Sequence, residues 1–281
     1  MLLVTGATGN IGRHLVRELD DRGAPQRILV RDPARAADLP APHVVADLGD
    51  PATLPAAFAG ISRLFLLTPG IGVEHTVNAV AAAQAAGVRH IVHLSSSNVL
   101  GDPMPAMGRW HHEREEIVRA SGIPFTILRP DGFMTNALEW TSTIPEGYVL
   151  DPLGPGRIAV IDPADIAAVA AVVLTTEGHE GEAYVLTGDE ALTIAEQVEL
   201  IAGATGLDLE ARPTKTPDEA VRARFPDGAP PAVAAALLEA IALMRAETTG
   251  RRTDTVQRLV GRSPGTFADW CARNAAAFTT G

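Results

Sequence analysis

The sequence predicts an α/β protein: a doubly wound parallel-sheet Rossmann fold with a smaller, mainly helical C-terminal lobe. Three observations predict it. Short apolar runs alternate with helical patterns through the first two thirds of the chain. A glycine-rich turn stands at the first strand-to-helix boundary. Aromatics make up only 4% of residues while alanine is abundant. The core must therefore be built from Val, Leu, Ile and Ala, as in a parallel sheet whose strands are buried on both faces.

The elements follow in order. Leu2–Thr5 reads as a strand, and Asn10–Leu19 as a helix with Ile11, Leu15 and Leu19 on one face. Arg27–Val30 is the second strand, Asp32–Arg35 the start of a helix, and His43–Ala46 the third strand. Leu64–Leu67 is followed by a helix with Val73, Val77 and Val80 on one face and Gly87 as its terminator. Then come His90–Leu94, a helix over Met107–Arg119, and a strand over Phe125–Leu128. A helix initiated by Asp165 runs to Leu174, a seventh strand spans Ala183–Leu186, and Thr193–Glu196 form a capping box.

After about Gly203 prolines interrupt short helical pieces, including Val233–Met244, and Phe267, Trp270, Cys271 and Phe278 share a face of the last helix. The expected division is a dinucleotide-binding domain over 1–131 with roughly 155–190. A substrate lobe would comprise 132–154 with roughly 191–281.

Composition excludes several functions. The net charge of −11 argues against direct nucleic-acid contact and against attraction to anionic membranes. Cys271 is the only cysteine, so there is no intramolecular disulfide and no cysteine-based metal site. The apolar run at Leu2 stops at Thr5-Gly6, and nothing approaches the roughly 18 apolar residues of a membrane span. The chain reads as soluble and cytoplasmic, with no metal site.

Thr5-Gly6-Ala7-Thr8-Gly9-Asn10-Ile11-Gly12 joins a strand to a helix, the context a dinucleotide fingerprint requires. Gly6 permits the tight turn, Gly9 lets the backbone approach a pyrophosphate, and Gly12 allows close helix–strand packing. The free N–H groups of the helix start complete the anion site. At the end of the second strand an acidic residue would hold a ribose 2′-hydroxyl, yet Arg31 comes first there. A guanidinium matches a 2′-phosphate, which favours NADP(H) over NAD(H). Asp32 remains open as a helix cap or a ribose ligand.

The chain resembles the NmrA-like atypical short-chain dehydrogenase/reductases, a family that includes quinone reductases and redox-sensing regulators. The resemblance rests on Thr5–Gly12, Leu29–Pro33, Ala46–Leu48, His90–Ser97, Ala120–Pro124, Thr126–Pro130, Phe133–Asn136, Asp162–Ala167 and Gly261–Trp270. It implies that Asp47 and Leu48 meet the adenine and that Thr68 and Pro69 lie near the nicotinamide ribose. Ser95 and Ser96 would stand beside the nicotinamide, with Pro130 and Phe133 passing over it.

Classical members of that superfamily carry Tyr-x-x-x-Lys on the helix after the fifth strand. Aligning on Glu115 puts Met107 at the tyrosine position and His111 at the lysine position, and the only lysine of the chain is Lys215. His111 is thus the best catalytic candidate, first as a cofactor contact and second as a general acid near neutral pH. Glu113, Glu115 and Glu116 interleave with Arg109, Arg114 and Arg119 and read as a solvated face, with Glu115–Arg119 a surface i,i+4 pair. Met104, Met107, Trp110, Phe133, Met134, Asn136 and Trp140 are candidates for a substrate pocket.

The expected function is hydride transfer from NADPH to a small, apolar, electron-poor acceptor such as a quinone or an iminium, which needs little acid assistance. The alternative is a catalytically silent NADP(H)-binding sensor that reports to a regulatory protein partner. An epimerase or dehydratase would also need the missing Tyr-Lys pair. The apolar, Ala-rich Val233–Met244 segment suggests a homodimer face.

Overall fold

The computed structural model describes residues 1–279. Its main sheet has seven parallel strands in the order β3-β2-β1-β4-β5-β6-β8. These are β1 (Leu2–Val4), β2 (Gln26–Val30), β3 (His43–Val45), β4 (Arg63–Leu66), β5 (His90–Leu94), β6 (Phe125–Pro130) and, after a separate β7 (Tyr148–Asp151), β8 (Ala183–Leu186). The apolar runs form strands because both faces are covered. One face packs on α1 (Asn10–Asp21), the other on α2 (Leu54–Phe58), α3 (Glu74–Ala85) and α4 (Ala106–Ala120). The helix α5 (Pro163–Thr175) packs beside α1, and ten of its residues are buried.

The order reverses between β1 and β4, which opens a crevice at their carboxyl ends where ligands bind in sheets of this type. Over it sits the second lobe. It holds the parallel pair β7–β9 (Glu210–Pro213), α6 (Ile194–Thr205), α7 (Pro217–Arg224), α8 (Pro231–Ala246) and α10 (Phe267–Thr279). Its core joins Met134, Ile144, Val149 and Ile201 to Phe267, Trp270, Cys271 and Phe278, the four residues expected on the last helix.

Several expectations need correction. The segment after β2 makes only a short 3₁₀ turn at Pro33–Ala36, capped by the Asp32 side chain, and prolines at 40 and 42 stop it lengthening. In α3 the buried face is Thr76, Ala79, Val80 and Ala83, so Val77 is exposed; the small residues, not the valines, approach the sheet. The helix α5 begins a turn earlier than Asp165, capped by Asp162. Asp165 instead is buried, accepting from the Gly265 N–H and pairing with Arg262. Finally α9 (Thr255–Val260), expected in the substrate lobe, packs on α5 and β8 through Val256, Leu259 and Val260.

Candidate functional site

The turn after β1 is built for close approach. Gly6 has φ +65°, a conformation that side chains rarely adopt. A Cβ on Gly12 would lie 2.1 Å from the Gly6 carbonyl oxygen, so the first turn of α1 can rest on the loop only with glycine there. The cap residue Gly9 places no side chain over the α1 N-terminus, whose free N–H groups and partial positive charge point into the crevice. Asn10 reaches across to Thr135 of the second lobe, Nδ2 to Oγ1 at 3.3 Å. Thr8 is half-buried on the same turn.

Facing this turn is a cavity of about 850 Å³ between the two lobes. Gly9, Asn10, Ile11, Thr68, Ser95, Ser96, His111, Pro130 and Phe133 line its sheet side. Met107, Trp110, Asn136 and Trp140 line it further out, while Phe225 and the α8 residues Leu237, Ile241 and Met244 close the far wall. Met134 does not belong there: it is 2% exposed and packs into the second lobe's core, because the turn following Phe133 points it inward. One apolar face of α8 covers this cavity.

The nucleotide end is less enclosed. Arg31 is exposed and makes no hydrogen bond or ion pair among the described residues, which leaves its guanidinium free for an anion. Asp32 Oδ1 accepts from the Ala34 N–H at 3.0 Å, so its open role resolves to a cap. Asp47 likewise closes a turn through the Gly49 N–H at 2.8 Å. Leu48 is buried against the sheet core and its carbonyl accepts from the Asn78 side-chain amide. The Pro69 carbonyl accepts from His75, and Thr68 sits 3.5 Å from the Thr76 hydroxyl.

The largest departure from expectation is Glu115. It is wholly buried rather than solvated. Arg129 on β6 grips it with both ends of its fork, Nε to Oε1 at 2.9 Å and Nη2 to Oε2 at 2.5 Å. Ser95 donates to Oε1 at 2.6 Å. Burial alone would raise this carboxyl, but the Arg129 and Ser95 hydrogen bonds outweigh it and hold it below its ordinary value. The Ser95 hydroxyl proton is thereby committed to structure, and Ser96 Oγ accepts from the Asn98 backbone and side chain. Arg114 is also buried, donating to the Gly70 and Gly72 carbonyls. Only the 14-residue separation of Glu115 and Arg129, two charges flanking an apolar strand, hinted at this pairing.

His111 lines the cavity one turn before Glu115. Burial first, and Arg114 second, push it down to about 4, so it is a neutral imidazole at pH 7. Its Nδ1 is buried with no partner, and its Nε2 makes no hydrogen bond among the described residues. Such a ring can donate to or accept from a ligand hydroxyl or amide, but its one N–H is too weakly acidic to make it a good proton donor at neutral pH. His112 is exposed. Sequence reasoning missed Asp131, which lines the same cavity directly after β6.

These features, an uncapped helix start, a glycine contact that tolerates no Cβ and an unpartnered histidine in the crevice, fit a dinucleotide. The family model described as NAD(P)H-binding matches residues 6–177. The chain belongs to this family. An NAD(P)H azoreductase from Xenophilus azovorans is 38% identical over 288 residues, spanning 99% of each chain. A (4-alkanoyl-5-oxo-2,5-dihydrofuran-3-yl)methyl phosphate reductase from Streptomyces griseus is 39% identical over 282 residues, again 99% of each. Among solved structures, an Escherichia coli NADPH-dependent quinone oxidoreductase in complex with NADPH superposes with TM-score 0.85 at 28% identity, covering 97% of this chain and 99% of the other. The NmrA-like resemblance seen in the sequence is thus borne out, and this member of the NAD(P)H-binding family is an NAD(P)H-dependent oxidoreductase. Among the described residues no helix is long and apolar enough to cross a membrane.

Proposed function

We propose that this oxidoreductase uses NADPH to reduce a bulky, apolar, electron-poor acceptor held between the two lobes. The cavity carries this reading. One of its walls is made by strand ends and the α1 N-terminus, the other by Trp140, Phe225 and α8, and the tyrosine and lysine positions on α4 are Met107 and His111. An unactivated ketone needs a strong proton donor at that place, whereas quinone-like, azo or iminium acceptors take hydride more readily. The azoreductase and quinone oxidoreductase relatives support that acceptor range.

NADPH is favoured by the free Arg31, by the engagement of Asp32 in its own turn, and by the NADPH complex of the E. coli relative. His111 contacts the cofactor as a neutral hydrogen-bonding group, and Ser96, Pro130 and Phe133 flank the nicotinamide side. On this reading residues 1–131, roughly 155–190 and α9 hold the nucleotide, and residues 132–154 with the rest of the tail hold the acceptor.

The test is steady-state NADPH oxidation against a panel of a benzoquinone, an azo dye and a triarylmethyl cation, beside a binding titration with NADPH alone. Turnover with at least one acceptor is expected. Tight NADPH binding without turnover on any acceptor selects the silent sensor instead.

A further inference from the structure

The acceptor classes proposed above differ in one demand. A quinone or an azo group takes up a hydride and a proton, whereas an iminium-type cation takes up hydride alone. The first two therefore gain from a proton delivered as hydride arrives; Met107 holds none, and the N–H of the neutral His111 is a very weak acid. We propose that Asp131 is the proton donor of this site, standing in for the tyrosine absent from α4; the assignment rests on the reductase reading.

The geometry points to Asp131 for three reasons. It follows β6 directly and lines the same cavity as Met107, His111 and Phe133. Its Oδ1 is fixed by the Gly132 N–H at 2.9 Å and by the Ser97 hydroxyl at 3.4 Å. Its Oδ2 makes no hydrogen bond or ion pair among the described residues, which leaves one oxygen to carry a proton.

Burial, and not the charged groups around it, favours the acid form. Arg251 and Glu247, in the loop between α8 and α9, act on Asp131 with opposite signs. His111 of α4 lines the same cavity as a neutral ring. Across the cavity Glu139 and Arg224 pair with each other at 2.7 Å. Burial raises the Asp131 carboxyl above its ordinary 3.8, and the Gly132 N–H, Arg251 and Ser97 offset this only in part.

In quinone reduction hydride arrives at one carbonyl oxygen, the electron pairs shift through the ring to the other, and that oxygen takes the proton from Oδ2 to give the hydroquinone. In azo reduction one nitrogen receives hydride and the other the proton, so N=N becomes HN–NH. Either way Asp131 is left as a carboxylate and recovers its proton from solvent. An iminium carbon receives hydride while the C=N⁺ pair returns to nitrogen, and no proton is consumed.

The deciding variant is Asp131→Asn, assayed with the same benzoquinone, azo dye and triarylmethyl cation. The expected result is a fall in kcat of about 100-fold with the quinone and the azo dye. The cation should be reduced at a rate within about twofold of the parent, and the NADPH Kd should not move. Asp131→Glu should recover part of the quinone rate, which a packing role would not give. With the parent, quinone reduction should decline as pH rises through the raised carboxyl, and that decline should vanish in Asp131→Asn.

Parent-like quinone turnover by Asp131→Asn overturns the donor role and leaves the reductase reading intact. A raised KM confined to the cation makes Asp131 a counter-ion, not an acid, and overturns it too. A parent that reduces none of the three acceptors overturns the reductase reading, and the donor role falls with it. Should Asp131→Asn fail to fold, the infrared carboxylic-acid band of the parent decides. A band that persists above ordinary carboxylate pH and shifts in Asp131→Glu supports the assignment; one that does not shift belongs to another raised carboxyl such as Glu139, and that result, or loss of every such band near pH 4, overturns it.

Discussion

Two neighbours on α4 show how much a single residue's meaning depends on partners distant in the chain. Glu115 and His111 are one turn apart, yet Glu115 is fixed by three hydrogen bonds from β5 and β6 sides and His111 by none. Removing Glu115 would leave the half-buried Arg129 without its counter-charge, so Glu115→Ala should cost about 3 kcal/mol in urea unfolding. A Glu115→Ala, Arg129→Met double variant should recover part of that loss, since it removes the stranded charge as well. Arg31 makes the opposite case, a charge with no partner in its own chain. Arg31→Glu should weaken NADPH binding about tenfold or more while leaving NADH binding nearly unchanged, as measured by fluorescence titration. Equal NADPH affinity in that variant would remove the phosphate assignment.

At the scale of elements, what the sequence made legible was what local covalent geometry dictates. Gly6 and Gly12 announced their turn because its positive φ and its close backbone approach exclude a side chain, and Gly12→Ala should displace α1 and destabilise the fold by about 1–3 kcal/mol, with loss of NADPH binding. Periodicity likewise revealed the strands and the buried stripe Ile11, Leu15, Leu19 of α1. Less legible was anything set by a distant partner. The expected i,i+4 partner Arg119 does lie 3.5 Å from Glu115, but the carboxylate is buried because a second arginine, from β6, grips it. The strands β7 and β9 are four residues each and pair only with one another, so neither stands out as an apolar run. The helix α8 is apolar for a reason its composition cannot state, namely that it roofs a cavity.

For the whole molecule the buried histidines set the response to acid. His90 and His93 are 3% and 0% exposed, and burial pushes each down to about 4. In the unfolded chain they titrate near 6.5. Above that value both states are neutral and pH has no effect through them. Between 6.5 and 4 the unfolded state binds the extra protons, so stability falls as pH falls. At pH 5 each histidine contributes at most about 2 kcal/mol of this loss. Urea midpoints should therefore drop between pH 7 and pH 5, and a His93→Gln variant should show a shallower drop. Glu115, held below its ordinary value, adds a further loss only as pH falls toward the carboxylate range.

The two walls of the cavity come from different stretches of the chain. Strand ends and the α1 turn, all before residue 134, form the nucleotide side, and α7 and α8 form most of the roof. The roof is pinned to α4 from one side, through the Ala106 N–H donating to Glu239 at 2.7 Å. Acceptor range is consequently a graftable property. A transplant of residues 217–246 from a relative, or a plug such as Ala240→Trp, should shift KM across the acceptor panel with the grip on NADPH unaltered. A change of acceptor then needs no renegotiation of the reducing half: it is a matter of re-roofing the same socket.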